Sequence, residues 1–493
     1  MNILLVVPHT PDTFLSFNSI LSFVDKKAAC PPLGMITVSA MLPKTWNKKL
    51  VDLNTDSLQD SDILWADYVF ISATYYIQKK SVNAIIDRCV QHGVKIVGGG
   101  PVFTQEHENY PQIDHFVLNE AEITLPLFLY DLRSGCPKSV YKTDGFADMT
   151  QTPVPDFHLL AIDDYVNMNI QISRGCPFSC EFCEITALLG RKVRMKRASQ
   201  IIDELQRLYD LHWRGQVYIV DDNFIGDRKE VKHNLLPAML EWMEKHGFPF
   251  TFNTQASIDL ADDSELMSLM VKTGFSSVFI GIETPDENSL QECNKRQNRN
   301  RNLLQSVRKL QNAGLQVTAG FILGFDNDTP TTFQRQIDFI QQSGIVTAVV
   351  GVLNVAKKTA LYRRNESENR IITEASGNTT DLSLNYVPVM NPEELVKGYK
   401  KIIGGIYNAE PYYRRIRQLL LNYNPKPNRP AVIGVAACWV FVKSFFVLGV
   451  LDMGRKHYWK LLLWTLFKRP QLLEDVVTLS IYGLHYRKIF EIQ

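Results

Sequence analysis

The stretch RGCPFSCEFCEI, Arg174 to Ile185, holds three of the chain's eight cysteines, Cys176, Cys180 and Cys183, within eight residues. The runs around it decide the fold. NMNIQISRG (167–175) precedes it, and QVYIVDDN (216–223), FTFNTQA (250–256), SSVFIGIET (276–284), QVTAGFILGF (316–325) and TAVVGVLNV (347–355) follow. Each is short, rich in β-branched or aromatic residues, and reads as a strand. Stretches with apolar residues at helical spacing, such as ASQIIDELQRLYDLH, NLLPAMLEWMEKHG and NLLQSVRKLQNAG, separate them, several ending in Gly. Six β-α units predict a partial TIM-type barrel over residues 160–375. Chemistry in such barrels gathers where strands end and loops begin, and the cysteine cluster follows directly on the first strand.

Upstream, NILLVVP (2–8), KLVDL (49–53), YVFISA (68–73), VKIVGGG (94–100) and HFVLNE (115–120) alternate with helical patterns. That predicts an α/β front domain over 1–140, a Rossmann-like, doubly wound parallel sheet. Ligands of such sheets sit beyond the carboxyl ends of the strands, so Thr74, Gly98 to Gly100 and Asn119-Glu120 are the places to look. The Pro-containing TQTPVPDFHLL connects the two domains. From about residue 376 to 493 the pattern becomes polar loop, helix, the linker NYNPKPNRP and a hydrophobic tail, a helical C-terminal extension.

A chain of 493 residues exceeds one hydrophobic core, so several domains are expected. Lys plus Arg total 53 against 52 for Asp plus Glu, which leaves no field to gather nucleic acid and favours a small or neutral substrate. Cysteines 30, 89, 136, 293 and 438 stand singly, unlike a secreted disulfide framework. MNILLVVPHT has too short an apolar run for a signal peptide and reads as a first strand, so a cytoplasmic protein is expected.

Thiolates at these short separations can wrap one side of a compact metal centre. Structural zinc asks for four ligands, usually as two CxxC pairs, and no second pair exists here. A redox CxxC at Cys180 and Cys183 leaves Cys176 without a role. Three ligands with one iron left open, a four-iron four-sulfur (4Fe-4S) cluster, explain the arrangement better.

CPFSCEFC resembles the CxxxCxΦC motif of radical S-adenosylmethionine (SAM) enzymes, with aromatic Phe182 before the last cysteine. The resemblance implies that Cys176, Cys180 and Cys183 hold the cluster and that SAM chelates its open iron. One electron then breaks a sulfur–carbon bond and releases a 5'-deoxyadenosyl radical. It also implies an electron donor such as flavodoxin or ferredoxin. Phe178 and Phe182 could shield the cluster, and ordinary core packing is an equal reading of both. Asp221, Asp222 and Asn223 of VDDNF fall where the family binds the SAM amino group, although its usual Gly-Gly-Glu is absent. Glu283 of GIETP falls where family members contact the ribose or methionine portion. GFILGFDNDTP is similar to the fifth-strand motif, with Gly320, Ile322 toward adenine, Gly324, and Asp328 in place of the customary glutamate. For each acid taken alone, a helix cap or loop turn is the alternative.

The front domain resembles the cobalamin-binding half of cobalamin-dependent radical SAM enzymes. CPPLGMITVSAMLP is similar to their PPLGL opening, VGGGPVFT to their GGP-x-x-T loop and LNEAEITLP to their GE-x-E turn. The resemblance implies that Ser72, Thr74, Gly99, Gly100, Pro101, Thr104, Asn119 and Glu120 line the corrin and its nucleotide tail. The DxHxxG ligand sequence is absent, as it commonly is in this class. A Rossmann-like domain that keeps packing glycines without the cofactor is the alternative.

Within the class the chain is similar, over essentially its whole length, to the hopanoid C-2 methylase branch. Lys357-Lys358-Thr359 departs from that branch's Pro-Gly-Thr turn. The implied activity is methyl transfer from cobalamin to an unactivated carbon of a small or lipid-like substrate. Radical cyclisation or rearrangement without methyl transfer, and a non-catalytic corrinoid or cluster sensor, stay open. The tail from Ala431 to Leu451 is interrupted by Lys443, which speaks against a membrane span. A core helix, a buried lid over the barrel, or a helix at a membrane surface with RKHYWKLLLWTLFKRP beside it, fits instead, the last implying peripheral membrane contact.

Overall fold

The computed structural model describes residues 1–14, 16, 18–374, 382–425 and 435–492. The front sheet has six parallel strands: β1 Asn2–Val7, β2 Asn47–Asp52, β3 Tyr68–Ser72, β4 Lys95–Gly99, β5 His115–Val117 and β6 Val140–Tyr141. Their order, β2-β1-β3-β4-β5-β6, reverses at β1, so right-handed crossovers put helices on both faces. Side chains of β1 serve the two resulting cores in turn. Ile3, Leu5 and Val7 pack with Phe70 and Phe128, while Leu4 and Val6 pack with Ile71 and Ile85. A strand buried on both faces has no polar side to show, which is why NILLVV is continuously apolar. The short edge strand β6 carries no such run, and the sequence pattern misses it.

β7 Met168–Ile170 opens the second sheet and is followed by a two-stranded antiparallel pair, β8 Ser173–Arg174 and β9 Arg194–Met195. The sheet continues with β10 Gln216–Ile219, β11 Thr251–Ala256, β12 Phe275–Glu283, β13 Gln316–Leu323 and β14 Ala348–Val352. Its strands lie side by side in chain order, all parallel. Monotonic order with right-handed crossovers sends every helix to one face and leaves the other as a lumen. Burial follows: in β13, Val317, Ala319, Phe321 and Leu323 are buried against the helices, while Gln316, Thr318, Gly320 and Ile322 stay half-buried on the lumen side. The single strand expected over 167–175 is in fact two. Asp221 takes the Ile172 amide at 2.7 Å, which draws the chain out of the β7 ladder before β8 begins.

The helices Pro392–Tyr407, Ala409–Asn422, Arg455–Lys468 and Leu473–Ile489 share one core with the barrel. Arg415, fully buried, ties them to β14: Nη1 donates to Ile406 O at 2.7 Å and Nη2 to Val346 O at 3.0 Å. Of the apolar tail, residues 431–434 lie outside the described residues. The helix Val435–Phe446 and the π-turn Val447–Leu451 follow, and here a buried lid is overturned: Trp439, Phe446 and Leu451 are 66%, 58% and 74% exposed. Among the described residues no helix is long and apolar enough to cross a membrane.

Candidate cluster and cofactor site

The cysteine loop hangs between β8 and β9. At its root Gly175 adopts φ +93°, and a Cβ there would meet Lys192 O at 2.5 Å, so only glycine lets the outgoing and returning arms pass. Cys176 N donates to Gly190 O at 3.2 Å and Cys183 N to Cys180 O at 3.2 Å. The loop that follows β12 braces it from the other side. Glu181 N donates to Cys293 O at 3.0 Å, and Asn294 Nδ2 reaches both Ser179 O at 3.0 Å and Ser179 Oγ at 2.9 Å.

This donor set suits an iron–sulfur cube. Among the described residues no three His, Cys, Asp or Glu side chains converge on a single ion position. A cube does not need that, because each thiolate binds a different iron. Cys176 and Cys183 lie close enough to feel each other's charge, and burial pushes Cys183 up to about 12 and Cys176 upward. Gln297 Nε2 donates to Cys180 Sγ at 3.8 Å. Phe182 packs on Phe325, ring centroids 6.1 Å apart, and closes one side with apolar surface. Cys293, a further thiol next to the loop, is buried and turned to Leu290 O at 3.7 Å.

The expected SAM residues divide into committed and open groups. Asp221 is fully buried, with Oδ1 taking Ile172 N at 2.7 Å and Oδ2 taking Ser173 Oγ at 2.6 Å. Asn223 Oδ1 accepts from Ser257 N at 3.1 Å. Asp328 accepts from Gly324 N at 2.8 Å and Ser289 Oγ at 3.0 Å, shaping the turn after β13. Gly320 and Ile322 face the lumen, where a Cβ on Gly320 would press Phe279 Cζ at 3.2 Å. Glu283 ends β12 at φ +62°, at a break in register with β13, a conformation rare outside glycine. Its Oε1 meets Lys295 Nζ at 2.6 Å.

Asp222 makes no side-chain hydrogen bond among the described residues. Burial, with the Asp221 carboxylate beside it, pushes its carboxyl up to about 7. A carboxyl whose folded value lies above its unfolded one favours folding while protonated, and that contribution is lost as pH rises from about 4 through about 7. Asp222→Asn is therefore expected to stabilise the metal-free chain at pH 8, by on the order of 2 kcal/mol, and to leave it nearly unchanged at pH 4. Urea midpoints at the two pH values check this. Equal shifts at both would contradict it.

In the front domain Ser72, Gly99, Gly100 and Pro101 meet at the ends of β3 and β4. Gly100, φ +98°, sits where a Cβ would strike Ala73 O at 2.7 Å and Ser72 Oγ at 3.2 Å. Thr74 N is held by Gln78 Oε1 at 2.9 Å. Thr104 Oγ1 accepts from Asn119 N at 2.9 Å, with Asn119 at φ +63°. Glu120 stands apart from this group: its Oε2 binds Arg174 and Arg194, both at 2.8 Å, in the other domain. Of the Lys-Lys turn, Lys358 faces the front domain, with Nζ 3.5 Å from Thr104 O, while Lys357 pairs with Glu374 at 2.7 Å.

Sequence reasoning missed Lys295, Gln297, Glu122, Arg174 and Arg194. Arg174 adjoins the cysteine motif and could have been flagged. Lys295, in CNKRQN, has no periodic or compositional signal, because its partner Glu283 is brought to it only by the turn after β12. It also missed a polar row across the lumen, where Asn169, Tyr218, Asn253, Ser277 and Gln316 stand in register on five strands. Asn169 and Asn253 keep buried Oδ1 atoms unbonded there.

Comparison with known proteins agrees with this layout. Residues 170–340 match the radical SAM superfamily, and residues 359–493 match a domain of unknown function, DUF4070. An uncharacterized methyltransferase of Synechocystis sp. is 38% identical, over 100% of this chain and 92% of its own. The hopanoid C-2 methylase of Rhodopseudomonas palustris is 30% identical, over 97% and 90%. The fold is similar to that of the radical SAM methyltransferase TsrM from Kitasatospora setae, solved with cobalamin and a [4Fe-4S] cluster. The TM-score is 0.63 at 13% identity, covering 98% of this chain and 99% of that one. Full-length similarity at this level, with the three cysteines on the loop after the first barrel strand, settles the family: the chain is a radical SAM enzyme of the cobalamin-binding-domain class, in the hopanoid C-2 methylase branch.

Proposed function

We propose that the chain is a cobalamin-dependent radical SAM C-methyltransferase acting at an unactivated carbon of a lipid-like substrate. The observation that carries this is the full-length similarity to the hopanoid C-2 methylase, 30% identical over 97% of this chain. Cys176, Cys180 and Cys183 would hold the cluster, and Gly99, Gly100 and Ser72 would cradle the corrinoid at a turn whose own backbone leaves no room for a Cβ on Gly100. When bound, these groups supply one electron, a carbon radical and a methyl donor. The chain's own residues do the rest. Lys295 and Glu283 offer a paired cation and anion to the two ends of an amino acid, Asp222 offers a carboxyl group with no side-chain hydrogen bond among the described residues, and Gly320 with Ile322 leaves a flat apolar wall for a base. Phe182 and Phe325 keep water from the loop.

The exposed tail supports a peripheral place at an anionic membrane. Trp439, Phe446, Leu451, Met453 and Phe467 project from the helices, and Arg455, Lys456, Lys460 and Lys468 are exposed beside them. Asp452, between these residues, is paired with Arg487 at 2.9 Å. An exposed face of aromatic and aliphatic side chains flanked by basic ones suits a lipid surface, where such side chains anchor. Phe467→Ser with Leu451→Ser is expected to cut flotation with vesicles containing anionic lipid at least about tenfold, since each apolar group contributes ~1 kcal/mol or more. Equal flotation of parent and variant, or flotation of neither, contradicts the surface.

The activity is tested with methyl-labelled SAM under reducing, oxygen-free conditions and a membrane lipid extract. Formation of 5'-deoxyadenosine together with label in a carbon-bound methyl group is expected. 5'-Deoxyadenosine without label transfer would favour cyclisation or rearrangement, and no cleavage at all would leave a sensor.

A further inference from the structure

Glu120 and Glu122 belong to the front domain, at the start and in the first turn of the helix Ala121–Arg133, yet both carboxylates are spent outside it. Their side chains are 4% and 7% exposed. The partners are Arg174, which ends β8, and Arg194, which begins β9, so the whole cysteine loop is strung between the two cations. Arg174 grips Glu122 by a fork, Nη2 to Oε1 at 2.8 Å and Nη1 to Oε2 at 3.0 Å. The same Nη1 reaches Glu120 Oε2 at 2.8 Å, and Nε holds Gln171 Oε1 at 2.9 Å. Arg194 meets the same Glu120 oxygen at 2.8 Å and turns its Nη2 onto Leu189 O, inside the loop, at 2.8 Å.

A desolvated bidentate pair fixes direction as well as distance, which an exposed ion pair does not. Loss of either partner leaves the other charge buried and uncompensated. The network continues on the front-domain side. Asn119, which precedes Glu120, donates its amide to Thr104 at 2.9 Å, and Thr104 N donates to Gly100 O at 3.0 Å. The glycine turn of one domain and the cysteine loop of the other are thus the two ends of one connected set of polar contacts.

We propose that Glu120 and Glu122 are positioning residues for the cysteine loop, and that the front domain thereby sets the geometry in which Cys176, Cys180 and Cys183 take up iron. The proposal rests on the cluster reading above and is independent of methyl transfer. It assigns the acidic turn to the domain junction rather than to the corrinoid.

The test uses the full chain. In the metal-free protein, Glu122→Gln is expected to speed hydrogen–deuterium exchange of residues 175–193 by about tenfold or more, with the barrel helices unchanged. After anaerobic loading with iron and sulfide, the reduced variant should show a broadened or shifted cluster signal by electron paramagnetic resonance, while aquocobalamin affinity stays within about twofold. The double variant Glu122→Gln, Arg174→Gln should be no worse than Arg174→Gln alone, since that change already removes the fork on Glu122. Parental exchange and spectrum in Glu122→Gln, or additive losses in the double, overturn the proposal. Should Glu122→Gln fail to fold, Arg174→Lys, which keeps the charge but loses the fork, is read the same way, and parental behaviour there overturns it equally. A parent chain that takes up no cluster would refute the cluster reading, while the exchange measurement would still decide the clamp.

Discussion

Cys183→Ala is expected to lower 5'-deoxyadenosine formation by about a thousandfold or more, the loss typical when an essential member of a catalytic unit is removed. The metal-free chain should keep its fold. Burial holds the Cys183 thiol protonated, so in the absence of iron it is a small apolar side chain, and its truncation costs ~1 kcal/mol of packing. Cys293→Ala is the matched control. Cys293 is a buried thiol next to the cysteine loop, but it points to the Leu290 carbonyl. Cleavage is expected within about threefold of the parent for that variant, since its loss is a packing loss alone. Product quantified by chromatography after anaerobic reconstitution separates the two. Equal losses in both variants would mean that the three-thiol assignment is wrong.

Lys295→Met carries the second large effect. Burial alone would depress this lysine, but Glu283, with Cys180 behind it, holds it above the ordinary range. Its side chain is 12% exposed and its ammonium lies 5.8 Å from the Phe182 ring centroid, at the edge of the cysteine loop. Removal strands the Glu283 carboxylate out of water, at a cost of about 3 kcal/mol in stability. It also deletes a largely buried cation beside the proposed cluster and SAM, so cleavage should fall about a hundredfold, as when a charge-stabilising donor is lost. The double variant Lys295→Met, Glu283→Gln distinguishes the two losses. Stability should return to within ~1 kcal/mol of the parent, because no charge is left uncompensated, while cleavage stays low. Recovery of activity along with stability would reduce Lys295 to a structural partner.

The parts of this fold that were legible were those governed by local pattern. β1, β3 and β4 are buried on both faces and announce themselves as unbroken apolar runs, and β11 to β13 sit between amphipathic helices with glycine ends. The cysteines were legible because their spacing is itself the signal. What the sequence did not make legible was what long-range pairing decides. Asp221 read as a ligand in VDDNF, but its carboxylate is spent on a backbone kink 49 residues earlier. Glu120 read as part of a corrinoid loop, and its partners lie 54 and 74 residues downstream. The lumen row Asn169, Tyr218 and Asn253 acquires meaning only from register. No window of sequence contains those neighbours.

The central claim, that three thiols hold an iron cube with one corner open to SAM, is tested most directly by Mössbauer spectroscopy of the chain loaded with iron-57, with and without SAM. A cubane spectrum is expected in which SAM shifts about a quarter of the absorption, one iron of the cube. A spectrum that SAM leaves untouched, or a purified chain that carries tetrahedral zinc in place of iron, would contradict it.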